Sequence, residues 1–230
     1  MATQVLQTTN ELDAARDHYR NEVIPADKLK IMDAATEELI RSALRESSLS
    51  EGNRAQDFIL MDAHGTPVRL QQLLSAGPVV IAFYRGGWCP YCNIELRGLQ
   101  RALPEIQKLG ASLVAISPQL PDNSLSTEEK NGLQFPVLSD VGNKVARRFG
   151  IVFTLPNDLL ETYNQFQHGL AMMNGETGAT ELPIPATFVL DRSGIIKLAY
   201  VDEDYTRRLD PEIVLDTLRQ LSATDQGGKQ

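Results

Sequence analysis

The chain has two cysteines, Cys89 and Cys92, and both lie in the run Trp88-Cys89-Pro90-Tyr91-Cys92. Sulfurs at this spacing alternate between dithiol and disulfide, so the first chemistry to consider is redox. The apolar run Val79 to Tyr84 precedes them and reads as a buried strand, and an amphipathic segment follows. A strand that delivers Cys89 to a helix N-terminus, with Pro90 as first helical residue, places the thiol beside unpaired N–H groups and the positive dipole end. That setting lowers a cysteine below its free value of about 8.5. Cys92 lies one turn inside the helix and is expected to be the less exposed. It is placed to attack a mixed disulfide, or a sulfenic acid formed on Cys89.

Neighbouring residues admit two readings each. Glu95, three residues after Cys92, either relays a proton to a sulfur or is a solvated helix carboxylate. Arg85 either holds an anionic thiolate or peroxide oxygen, or is a loop arginine at the surface. Trp88 either shields the sulfurs or packs in the core. Pro185 precedes a strand, where a cis bond would expose backbone to a partner cysteine. A zinc site needs about four ligands, and His18, His64 and His168 are all remote in sequence from the cysteines. The reading invokes no metal and no cofactor.

The elements that must position these groups follow from periodicity. Residues 1–50 read as a helical extension, with an amphipathic helix over about 26–47 and a shorter one near 13–19. The extension either packs on its own domain or mediates a homodimer. Residues 51–222 alternate strands and helices and close with a hairpin around Asp191-Arg192-Ser193-Gly194 and a helix from Pro211 to Leu221. Pro104 is expected to kink the helix that follows the cysteines, residues 153–170 read as helical, and 223–230 read as a disordered tail. The fold class is α/β, a central mixed sheet flanked by helices.

Composition limits the partners. With 230 residues, 42 % hydrophobic, 23 % charged and a net charge of −8, the chain reads as a globular protein without a nucleic-acid or anionic-membrane partner. No apolar run approaches the roughly 20 residues of a membrane span. The start lacks a basic and apolar leader, so the expected compartment is the cytoplasm.

The chain resembles the peroxiredoxin-like branch of the alkyl hydroperoxide reductase / thiol-specific antioxidant family, within the thioredoxin-like fold. The resemblance spans about residues 51–221. It rests on Ala55-Gln56-Asp57-Phe58, Phe83 to Cys89, Phe135 to Asp140, Ala146 to Gly150 and Pro185 to Gly194. It implies an antioxidant thiol peroxidase in which Cys89 attacks the O–O bond, Cys92 resolves to an intramolecular disulfide, and a thioredoxin- or glutaredoxin-type dithiol regenerates the pair. Two positions depart from the family. Gly86 stands where a Thr or Ser is usual, and Pro185 stands where an arginine is usual, so Arg85 or Arg148 is expected to supply the missing donor. Cys-x-x-Cys-x-x-Glu and Ile184-Pro185 also resemble thiol–disulfide oxidoreductases that act on protein disulfides. A non-catalytic redox-sensing module is the third reading.

Overall fold

The computed structural model describes residues 2–166 and 169–227. Its centre is a seven-stranded sheet in the order β2-β1-β5-β4-β3-β8-β9. The strands are β1 (Ile59–Asp62), β2 (Pro67–Arg69), β3 (Val79–Phe83), β4 (Ser112–Ser117), β5 (Val137–Ser139), β8 (Ala186–Leu190) and β9 (Ile196–Val201). β3, β4 and β5 run parallel, whereas β1 pairs antiparallel with β5, and β8 with β3 and β9. Every residue of β3 is buried, because both faces of this central strand are covered. Val80, Ala82 and Tyr84 face a cluster that holds α5 (Pro90–Lys108) and α10 (Pro211–Gly227). Val79, Ile81 and Phe83 face a second cluster with Phe149, Ile151 and Phe188. The α/β architecture with a mixed central sheet is the one the alternating pattern predicts.

Several local expectations are corrected. The helix α5 continues through Pro104 to Lys108, since proline removes one N–H and leaves the rest of the ladder. In the extension, α1 (Ala2–His18) is longer than expected and runs into a π-helical turn, Tyr19–Val23. The single helix expected over 26–47 is two. α2 (Ala26–Arg41) stops before Ala43, which is left-handed, and α3 (Leu44–Ser47) is turned so that the Arg45 N–H donates to Glu203 at 3.0 Å. A tertiary bond outweighs the helical periodicity there.

Between β5 and β8 lie α6's successors. With α4 (Leu70–Ala76) and α6 (Pro121–Asn131) before them, they are α7 (Lys144–Arg148), α8 (Asn157–Phe166) and α9 (Leu170–Asn174). β6 (Val152–Thr154) and β7 (Glu181–Pro183) form a small ribbon inside the stretch read as helical. The helix α10 extends to Gly227, so the expected tail is helical over 223–227. Residues 228–230 and His168 lie outside the described residues.

The extension packs on its own domain. Leu12 of α1 enters the core cluster beneath α5, and Arg101 of α5 donates to Thr8 at 2.8 Å. Met32 of α2 joins Leu159 and Tyr163 of α8 in a third cluster. The end of the extension crosses Gly150, where the Leu49 N–H donates to the Phe149 carbonyl at 2.9 Å. Gly150 has φ +73°, and a Cβ there would stand 2.6 Å from the Ser47 carbonyl oxygen. Gly150→Ala is therefore expected to cost about 1–3 kcal/mol in urea unfolding, with earlier amide exchange in residues 44–49 than elsewhere.

Candidate active site

Strand β3 ends at Phe83, and the next six residues form a tight turn into α5. Cys89 is the N-cap and Pro90 the first helical residue, as the sequence predicts. The turn is fixed by a polar network. The Gly87 N–H donates to Gln119 at 2.8 Å, Asn93 donates to the Gly87 carbonyl at 2.8 Å, and Asn131 donates to Asn93 at 2.9 Å. The Cys89 N–H closes the turn on the Gly86 carbonyl at 3.1 Å. Gly86 has its own cause: with φ +151°, a Cβ would lie 2.3 Å from Trp88 Nε1. The indole occupies the place where a side chain at position 86 would stand.

Both thiols are free and buried, Cys89 at 1 % and Cys92 at 0 % exposure, so burial does not separate them. Charge does. Burial pushes the Cys89 thiol up. The hydrogen bond from Cys92, the Arg85 and Arg208 guanidinium charges and the helix-end N–H more than reverse this, bringing it down to about 6. Burial and the adjacent Cys89 sulfur push Cys92 well above its ordinary value. The surroundings thus favour negative charge on Cys89 and a retained proton on Cys92.

Arg85 is 2 % exposed, which excludes the surface-loop reading. Its guanidinium carbon lies 4.9 Å from the Trp88 ring centroid, 5.0 Å from Tyr163 and 4.4 Å from Tyr205, and it donates to the Tyr163 hydroxyl. Three π faces keep the cation in a dry site. Its Nε and the Trp88 Nε1 are buried without a hydrogen-bond partner in the protein. Trp88 is half-buried, shared between the core clusters and the cavity beside Cys89.

Glu95 is buried, not a solvated helix carboxylate. It accepts from Arg208 Nε at 2.6 Å, and Thr187 Oγ1 donates to its other oxygen at 3.5 Å. Burial raises its carboxyl to about 7, against the Arg208 charge. Arg208 also donates from Nη2 to the Cys92 sulfur at 3.2 Å and is itself held by the Tyr205 carbonyl.

Arg208 was not singled out from the sequence, nor were Tyr163 and Tyr205. The available signal was weak: a second arginine in Thr206-Arg207-Arg208-Leu209-Asp210, just ahead of a helix-starting Pro211. Arg148 is not in the site. It is exposed on α7 and donates to the Asp57 carbonyl at 3.3 Å. Pro185 is buried in the wall shared by Arg85, Tyr163 and Tyr205, and no described peptide bond is cis. Among the described residues no group of His, Cys, Asp and Glu has the arrangement of a metal site.

Beside Cys89 a cavity of about 260 Å³ is lined mainly by apolar and aromatic side chains, with Arg85 as its charged group. A cysteine with a lowered pKa, a second thiol beside it, two buried cations, a buried carboxyl and an apolar chamber are the groups that nucleophilic attack on a small electrophile and closure of a disulfide require.

A family model described as the AhpC/TSA family matches residues 52–199. The chain is 28 % identical over 200 residues to a chloroplastic peroxiredoxin Q of Sedum lineare, covering 85 % of this chain and 92 % of that one. It is 36 % identical over 103 residues to a putative peroxiredoxin of Mycobacterium tuberculosis, covering 45 % of this chain and 67 % of that one. Among solved structures it is similar to the peroxidoxin BcpB from Mycobacterium tuberculosis, with a TM-score of 0.61, 28 % identity, and 75 % and 98 % of the two chains covered. A Xanthomonas campestris peroxiredoxin Q aligns with a TM-score of 0.55 at 20 % identity, over 72 % and 91 % of the chains, which speaks to the fold.

The two cations make a measurable difference at Cys89. The pH midpoint of its alkylation by iodoacetamide is expected near 6. It should rise in Arg85→Met and Arg208→Met and stay put in Arg148→Met. An unmoved midpoint in both buried-arginine variants would show that the helix end alone sets the thiolate.

Proposed function

The chain belongs to the AhpC/TSA family, and on that premise we propose that it is a thiol-dependent peroxidase with Cys89 as nucleophile and Cys92 as resolver. The observation that carries the reading is Cys89 lining an apolar cavity with the buried Arg85, while Arg208 bonds the neighbouring Cys92 sulfur at 3.2 Å. The thiolate attacks one oxygen of a hydroperoxide, the O–O bond breaks, and the other oxygen leaves as an alkoxide that takes up a proton. Cys89 becomes a sulfenic acid and the hydroperoxide an alcohol. The Cys92 sulfur then attacks Cys89, the disulfide forms and water leaves. An external dithiol of the thioredoxin or glutaredoxin type returns both thiols to the reduced state.

Arg85 takes the part of the donors absent at Gly86 and Pro185. Its free Nε–H, with the Trp88 N–H, is suited to the charge that develops on the leaving oxygen. Arg208 holds Cys92 in line, and Glu95 takes the Cys92 proton during resolution. The sign of the pH effect follows. Below about 7 Glu95 is protonated and cannot accept, and above it the carboxylate can, so resolution speeds up as pH rises through about 7. No helix among the described residues is long and apolar enough to cross a membrane. We assign the work to the cytoplasm, where dithiol reductants keep such a pair cycling.

Hydroperoxide should be reduced catalytically with thioredoxin, thioredoxin reductase and NADPH, and Cys89→Ser should abolish turnover. Cys92→Ser should stop after one equivalent, leaving a sulfenic acid that dimedone traps. A second-order rate for Cys89 no higher than that of a free thiolate, together with fast insulin-disulfide reduction in the absence of peroxide, would favour the disulfide reductase instead. Glu95→Gln should leave sulfenic acid formation in place and flatten the rise of its decay between pH 6 and 8, followed by quenched-flow trapping, around the raised carboxyl at about 7.

A further inference from the structure

The matched family region begins at residue 52, yet the chamber beside Cys89 is not built from that region alone. Tyr19, Val23, Ile24 and Met32 of the N-terminal segment line it together with Trp88 and Tyr91. The segment is held in this place. Arg20 makes two bonds to Asp33 at 2.7 and 2.9 Å, tying the π-helical turn to α2. Tyr19 packs on Tyr91 with ring centroids 6.1 Å apart, and Met32 is buried against α8. The turn bonds Ile24 N–H to the Tyr19 carbonyl at 2.9 Å, the wide spacing of a π-turn, a form often found at functional sites.

Size and polarity indicate what the wall is for. A volume of 260 Å³ equals about nine waters' share of liquid. Hydrogen peroxide has two heavy atoms and no apolar surface, so it gains nothing from aromatic and aliphatic walls. The chamber suits a compact apolar group attached to the oxygen that leaves.

We propose that Val23, Ile24 and Met32 are specificity-determining residues, through which the N-terminal segment grips the apolar group of a bulky hydroperoxide while Arg85 and Cys89 engage its oxygens. This rests on the peroxidase reading for its chemistry but not for its binding. The segment is then part of the substrate site as well as packing for the domain.

The test compares hydrogen peroxide with cumene hydroperoxide on the full chain. The wild type should prefer the aryl-alkyl substrate at least tenfold in kcat/KM. Val23→Asp, at a half-exposed position that tolerates a polar side chain, should lower that preference at least fivefold. Ile40→Asp, on α2 away from the chamber, should not change it. A wild type that reduces both peroxides without preference, or a preference that Val23→Asp leaves intact, overturns the proposal. A second measurement needs no turnover. Trp88 is the only tryptophan and lines the chamber, so its emission reports binding of 2-phenylpropan-2-ol, which has no O–O bond. Saturable binding, weakened at least fivefold in Val23→Asp, supports the wall even where neither peroxide is reduced, in which case the peroxidase reading alone fails. No saturable binding overturns the wall even where both peroxides are reduced.

Discussion

Two guanidinium groups buried beside two thiols set the terms for the rest of this structure. A cation out of water is costly unless paired and surrounded by compensating groups. Arg85 is compensated by three aromatic faces and the Tyr163 hydroxyl, and Arg208 by Glu95, backbone carbonyls and the Cys92 sulfur. Each compensation fixes a position in space. Tyr163 requires α8 to lie over the site, Tyr205 requires the loop after β9 to fold inward, and Glu95 requires the first two turns of α5 to face the sheet. The chain surrounds the cations, leaving Arg85 Nε without a partner in the protein, and the cations in turn favour negative charge on a buried sulfur.

The departures from the family pattern share this cause. A hydroxyl-bearing side chain at position 86 has no room, because the indole of Trp88 lies over that Cα. The same indole covers Arg85 and lines the chamber. Pro185 stands ahead of β8, while Arg208, in the loop that leaves β9 at the same end of the hairpin, reaches the Cys92 sulfur. The charge is retained and its source in the chain is moved.

How much of this the sequence carried depends on the range of the interaction. The Cys89 N-cap, the buried β3 strand and the β8–β9 hairpin are local patterns, and all three were legible. Arg208 was not, because nothing in Thr206 to Asp210 distinguishes a surface arginine from one paired with Glu95, 113 residues earlier. Arg148 failed for the converse reason: it sits in a segment that matches the family, but its helix points it at the Asp57 carbonyl. Glu95 could be narrowed only to two roles until its partner was known. The β6–β7 ribbon was hidden by apolar residues at helical spacing, since its short strands are defined by pairing with each other across residues 152–183.

The distribution of these partners along the chain bears on synthesis. The cysteines emerge early in the second third, but Tyr163 follows Arg85 by 78 residues and Arg208 follows Cys92 by 116. Until the last segment leaves the ribosome and closes over α5, Glu95 has no counter-ion and the thiolate lacks one of its two cations. A chain that ends before Arg208 therefore lacks one of the charges that lower the Cys89 thiol. The full set of charges around the two sulfurs is assembled only when the loop after β9 has closed over α5.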